Sequence, residues 1–154
     1  MNVAGEITVD ASREAVFKAL SDAQFFASCI DGVRDLKEID ATHYNAVLDT
    51  RIAYMRFTFI VTVEMCGILP PENIEAKVEG TPLGTVGRLT ASARTRLAEA
   101  GSQTIIRYSI DATLTGKLGS IGQPVLRAKA KEMEKQFNER IAAAFAPGGT
   151  RAAT

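Results

Sequence analysis

Few side chains in this 154-residue sequence have the type and spacing to carry out chemistry, and those few suit binding better than bond making. The single histidine, His43, follows the turn-like Asp40-Ala41-Thr42, where an imidazole is expected to sit in water rather than act as a base or ligand. No group of His, Cys, Asp or Glu has metal-ligand spacing, so neither a metal nor another cofactor is expected. The serines lie in no nucleophile-elbow context, and one histidine makes a Ser-His-Asp triad improbable. Residues 80–87, GTPLGTVG, have the glycine content of a phosphate loop but not its Lys-Ser/Thr ending. They also lead into a strand pattern instead of a helix, so they read as a flexible rim loop. Cys29 and Cys66 are far apart with no CxxC spacing and are expected to be buried, reduced thiols.

The apolar set is larger and has two readings. Phe57, Phe59, Val61, Leu89, Ile106, Met133 and Phe137 all fall on faces that should point inward, as core packing or as the lining of a pocket. Tyr44 and Tyr108 add two hydroxyls on inward faces, and each needs a hydrogen-bond partner when buried. Either one suits the carbonyl of a bound ligand, or another tyrosine, water or backbone. General acid–base catalysis needs a group of tuned pKa at the reacting atom. The inward positions supply Tyr44, Tyr108, Thr50 and Thr95 for that purpose, with no His, Asp or Glu among them. An inward set without Lys or Arg also disfavours a charged ligand, because an unpaired buried anion costs several kcal/mol. The expected ligand is a neutral, elongated apolar molecule, with a quinone the leading candidate.

These residues need a scaffold, and the periodicity supplies one. Leu126, Ala130, Met133, Phe137, Ile141 and Ala144 recur at steps of three and four, which places them on one face of a long helix. Pro124 suits its first turn, and Arg127, Lys131, Glu132, Lys135, Asn138 and Glu139 are expected in water. A helix begun near Lys117 would put Gly119 and Gly122 on the inward stripe. Leu118, Ile121 and Val125 would then form a flank, either a docking patch or a set packed under the rim loop. The ligand entrance is expected between Gly84 to Gly87 and the Gly119/Gly122 end of this helix.

Ahead of the helix the pattern is mostly of period two, the signature of strands with one face in water. A first strand around residues 3–9 is followed by two short helices, one capped by Asp10 or Ser12 and one begun by Asp22. Six strands then run from Val33 to about residue 115, with hairpin signals at Asp40-Ala41-Thr42 and Ala100-Gly101-Ser102. The expected fold is α+β: a curved antiparallel sheet of about seven strands wrapped around one long C-terminal helix. Residues 1–146 should form a single domain, with 147–154 as a loose tail. A half-barrel closed by one helix tends to leave a cavity between them.

Composition narrows the setting. With 18 basic and 18 acidic residues the net charge is zero, which gives no general attraction to nucleic acid. The N-terminus alternates like a strand instead of a signal peptide, and no apolar run spans a bilayer. A cytoplasmic protein, with at most a peripheral contact at the inner face of the membrane, is expected.

At the level of whole segments the chain resembles the G-subunit family of carbon monoxide dehydrogenase, within the helix-grip (START-like, SRPBCC) superfamily. The resemblance is carried by SREAVFKALSD with ASCIDGV, FTFIVTVEM with LPPENIEAKVEG, GTVGRLTASARTRL, TIIRYSIDATLTGKLGSIG, and KEMEKQFNERI. These segments cover about residue 5 to 145, and GKLGSIG before a long helix is the most specific. The resemblance implies a deep apolar cavity, a quinone or lipid-like ligand, and no reaction of its own. It also implies association with molybdenum-containing carbon monoxide dehydrogenases and related hydroxylases, helping their membrane recruitment or electron-acceptor supply. Asp31 stands where the family often has Pro, and Arg51–Phe57 (RIAYMRF) where it often has a Gly-Pro turn. Many members also extend past the position of Thr154, a difference that bears on membrane anchoring. The rivals are a cyclase- or dehydratase-type enzyme of the same superfamily and an assembly factor with a filled core.

Overall fold

The computed structural model describes residues 1–146. The expected loose tail, residues 147–154, lies outside them. Seven antiparallel strands form one sheet in the order β1-β7-β6-β5-β4-β3-β2. In chain order these are β1 (Asn2–Val9), β2 (Val33–Glu38), β3 (His43–Ile52), β4 (Met55–Leu69), β5 (Asn73–Pro82), β6 (Gly87–Ala100) and β7 (Gln103–Gly116). The long helix α3 (Gln123–Ala144) lies across the concave face, and the short helices α1 (Arg13–Ser21) and α2 (Ala23–Ser28) connect β1 to β2. This is the helix-grip fold.

Local chemistry sets the connections. The Ser12 hydroxyl accepts from the Ala15 N–H to cap α1, and the Asp22 carboxylate accepts from the Gln24 N–H to cap α2. Gly32 then carries the chain into β2 at φ +88°. A Cβ there would stand 2.0 Å from the Asp49 carbonyl oxygen, a contact that glycine alone permits. The Asp40 carboxylate accepts from the backbone N–H groups of Thr42 and His43 and so forms the β2–β3 turn. Its carboxyl is held down to about 2, by the Thr42 N–H first and the His43 imidazole next. His43 is exposed at that turn.

The β3–β4 hairpin closes through Ala53 and Tyr54, with Ile52 opposite Met55. Ala53 has φ +56°, the left-handed region in which a Cβ is penalised. Ala53→Gly is therefore expected to raise stability by about 0.5–1 kcal/mol after allowance for the extra freedom of the unfolded glycine, read as a higher urea midpoint at unchanged m-value.

The core gathers at the end of the barrel under α1 and α2. Val9, Val16, Leu20, Cys29, Ile74, Leu97, Ile106 and Ile141 pack there, flanked by Phe17, Phe25, Phe26, Phe137 and Phe145. Phe137 is half-buried, with its ring 5.1 Å from that of Phe26. The fully buried anchors of the helical stripe are instead Ile141 and Leu126.

The start of α3 differs from the expected one. A 3-10 turn, Gly119–Ile121, precedes it, and Gly122 at φ +105° separates the two. Leu118 is fully buried against Gly87, so the expected flank is no docking patch at that residue; it packs under the rim loop.

The cysteines are unpaired, but only Cys29 is buried; Cys66 is exposed at the irregularity in the β4–β5 pairing. Burial pushes the Cys29 thiol up. Native protein should therefore react with one equivalent of a thiol reagent at Cys66 and take up a second only when unfolded. Two fast equivalents in the native state would place Cys29 outside the core.

Candidate ligand site

The concave face of the sheet is built largely from small residues. Ala76 pairs with Ala93, Val78 with Ala91, Gly80 with Leu89, and Ala91 in turn with Ala112. Helix α3 makes its closest backbone approaches at β1 and β3, near the two margins of the sheet, and meets the central strands through the side chains around Ile141. Alanine and glycine side chains cannot span the roughly 10 Å that separates packed layers. Accordingly Ala76, Val78, Ala91, Ala93, Ile110, Met133 and Phe137 remain only half-buried although they point inward.

The residues expected to line a pocket divide by depth. Phe59 and Ile106 are buried, whereas Phe57, Val61, Leu89, Met133 and Phe137 are half-buried. The Phe57 and Phe59 rings stack at 5.9 Å. Tyr44 is half-buried on β3, across from Val63, and burial and then the Glu38 carboxylate raise its phenol.

Tyr108 has partners that the sequence does not disclose. On β7 it lies opposite Gly5 of β1, whose missing Cβ leaves room for the phenol; a Cβ would stand 2.4 Å from its oxygen. The Tyr108 hydroxyl donates to the Glu134 carboxylate and accepts from Asn138 Nδ2 at 3.1 Å. Burial raises this phenol most; Asn138 pulls it down and Glu134 pushes it up. The periodicity places Asn138 in water and no carboxylate inward, and the structure corrects both points. Glu134 and Asn138 lie at the edge of the apolar stripe and reach back to the sheet beside β1. Spacing holds the signal, since positions 134 and 138 are one turn apart and flank Phe137.

The expected entrance residues also separate. A Cβ on Gly87 would meet the Thr115 carbonyl at 2.6 Å, and one on Gly119 the Leu114 carbonyl at 2.8 Å, so both are tightly packed. Gly84 and Gly122 face open space. Two clefts run along the other margin, between β3 and α3. One, of about 180 Å³, lies between Asp31, Asp49 and Arg51 on one side and Lys129, Glu132 and Met133 on the other. A second, of about 530 Å³, continues past Ala53 to Pro124, Val125 and Ala128. Lys129 is largely buried here, with its ammonium 2.8 Å from Glu132, so its charge is already matched.

The same end of the barrel carries exposed apolar tips and an excess of cations. Tyr54 is 87% exposed, Val86 74% and Leu83 58%, on two adjacent hairpins. Residues 50–62, 80–92 and 113–131, which build this end, contain Arg51, Arg56, Arg88, Lys117, Arg127, Lys129 and Lys131; Glu79 and Glu132, just beyond them, pair with Arg88 and Lys129 and leave the other five. Arg51 sits directly opposite Arg56 across the hairpin.

The model of the family described as the carbon monoxide dehydrogenase G-subunit (CoxG) matches residues 5–146. The chain belongs to that family. No curated protein matches the sequence. Among solved structures, a conserved protein from Geobacillus kaustophilus is similar at TM-score 0.85 and 28% identity, over 95% of each chain. A protein from Chromobacterium violaceum is similar at TM-score 0.69 and 15% identity, over 95% of this chain and 97% of that one. A START superfamily protein from Mycobacterium smegmatis is similar at TM-score 0.62 and 14% identity, over 91% of this chain and 96% of that one. The family description associates the chain with carbon monoxide dehydrogenase, and the solved structures agree on the START-like fold. Among the described residues no helix is long and apolar enough to cross a membrane.

Proposed function

We propose that the chain is a non-catalytic carrier that holds a neutral apolar molecule, a quinone or related lipid, between α3 and the concave sheet. It would serve a molybdenum hydroxylase of the carbon monoxide dehydrogenase type. The observation that carries the reading is the floor of small residues, Ala76, Gly80, Ala91, Ala93 and Ala112, under a helix that approaches the sheet at its margins. Each methylene moved from water into such a space contributes about 0.8 kcal/mol, so a prenyl or acyl chain supplies most of the affinity. The Glu134 carboxylate, turned back to the sheet at Tyr108, works against a second anion and so favours a neutral ligand over a free fatty acid. Exchange with a membrane would take place at the end bearing Tyr54, Leu83 and Val86, where the cations collect.

The reading is tested by filling the floor. Ala93→Phe should weaken binding of decylubiquinone, followed by calorimetry, at least tenfold while changing stability by less than about 1 kcal/mol. A packed interior would instead charge about 1–3 kcal/mol for the added ring. Absence of saturable binding by the wild type, or tighter binding of decanoate than of the neutral quinone, would sink the proposal.

The paired Tyr108 and Glu134 favour one second reading, a cyclase- or dehydratase-type enzyme, because they supply an inward acid–base group that the periodicity alone does not place. Turnover of a bound substrate, lost in Tyr108→Phe and Glu134→Gln alike, would establish it over the carrier.

A further inference from the structure

The Tyr108, Glu134 and Asn138 cluster has its hydrogen bonds already partly assigned. The Tyr108 hydroxyl has a single proton, and that proton is directed at Glu134. One of its lone pairs takes the Asn138 N–H at 3.1 Å. A tyrosine so engaged cannot also donate to a ligand carbonyl, the role that its inward position first suggests. What the cluster still offers is chiefly acceptor capacity. The Glu134 carboxylate has a second oxygen and, when ionised, no proton to give. The remaining Asn138 N–H and the hydroxyl of Thr95, which pairs with Tyr108 across β6 and β7, are neutral donors. Hydrogen bonds to a charged acceptor are about twice as strong as those between neutral groups. A carbonyl oxygen brought to the same place meets negative charge instead of a proton.

We propose that Glu134, held in place by Tyr108, whose hydroxyl in turn accepts from Asn138, makes this site selective for a head group that donates a hydrogen bond, such as a phenolic or alcoholic hydroxyl, over the matching ether or carbonyl. The inference rests on the carrier reading and extends it: of a quinone and its two-electron-reduced quinol, the quinol is the form held more tightly. Gly5 belongs to the same arrangement, because any side chain there would displace the phenol from the carboxylate.

The test compares 4-nonylphenol with 4-nonylanisole, which share ring and chain and differ in the hydroxyl proton. Calorimetric titration of the wild type should show the phenol binding at least tenfold more tightly, the ratio given by one charge-assisted hydrogen bond. Glu134→Gln should reduce that ratio to about threefold or less while leaving anisole affinity nearly unchanged. Tyr108→Phe, which keeps the carboxylate, should retain the preference. The ratio separates recognition from a merely structural tie, because a loosened helix would weaken both ligands together, and melting temperatures taken alongside report such loosening. Equal binding of both ligands by the wild type overturns the selectivity and leaves the carrier intact. Binding of neither overturns the carrier and this inference with it. A preference unchanged in Glu134→Gln, or lost only in Tyr108→Phe, assigns the selection elsewhere and refutes the role given to Glu134.

Discussion

Ile141→Ala should destabilise the protein by about 2–5 kcal/mol, and Phe137→Ala by less, about 1–3 kcal/mol, although phenylalanine is the larger side chain. Surroundings, not size, set the order. Ile141 is 1% exposed and packs with Val9, Val16, Leu20, Cys29, Ile74, Leu97 and Ile106 where α3 meets the two short helices. Removing three carbons there leaves a cavity among side chains that cannot easily close it. Phe137 sits one turn earlier, half-buried, packed against that same cluster with its ring 5.1 Å from that of Phe26. Being only half-buried, it has less buried contact to lose on truncation. Paired denaturant melts read the difference directly. The reverse order, with Phe137→Ala the costlier, would mean that the middle of the barrel is close-packed, and the ligand space would go with it.

The same contrast shows what the sequence can and cannot reveal. Alternation along β3 to β7 and the three–four stripe of α3 are strong periodic signals, and they recover the element order, the antiparallel pairing and the helix-grip fold. Periodicity reports which face a residue takes, but not how far the opposite layer lies. Phe137 and Ile141 look equivalent in the sequence, yet one is half-buried and the other is an anchor. Position on a helix edge is also ambiguous by some 50°, since successive residues step by about 100°. Glu134 and Asn138 fall in that margin, and what turns them inward is a residue distant in sequence: Gly5, which leaves room for the Tyr108 phenol. Gly119 and Gly122 show a third limit. A continuous helix would make both of them inward gaps, but one is packed on the Leu114 carbonyl and the other supplies a φ of +105° that begins α3. Gly122→Leu, which first suggests itself as a plug for the entrance, would strain the backbone as well and could not isolate ligand entry.

Removing three charges with Arg51→Gln, Arg56→Gln and Lys117→Gln should weaken binding to vesicles of phosphatidylglycerol and phosphatidylcholine by about 10- to 100-fold, with little change in stability. The expectation begins with an oddity inside the chain. Arg51 and Arg56 face each other across a hairpin, an arrangement that destabilises a strand pair, and neither has an ion-pair partner among the described residues. Lys117 is also without one, although the molecule as a whole is electrically neutral. The matching negative charge would come from outside, and an anionic bilayer gives about 1 kcal/mol per surface cation, or roughly fivefold each. Tyr54, Leu83 and Val86 project from the two neighbouring hairpin tips at this end, an amphipathic tyrosine and two aliphatics suited to the headgroup boundary. The two contributions separate by salt. Wild-type binding should fall steeply between low salt and about 0.5 M, because surface charges are screened within a Debye length. The triple variant should show a shallower dependence, whereas Tyr54→Ser with Leu83→Ser and Val86→Ser should lower affinity at every salt concentration and keep the slope. If the wild type does not sediment with anionic vesicles, or the glutamine variant sediments as well as the wild type, this end of the barrel does not face a membrane. Delivery of the ligand would then have to run directly between proteins.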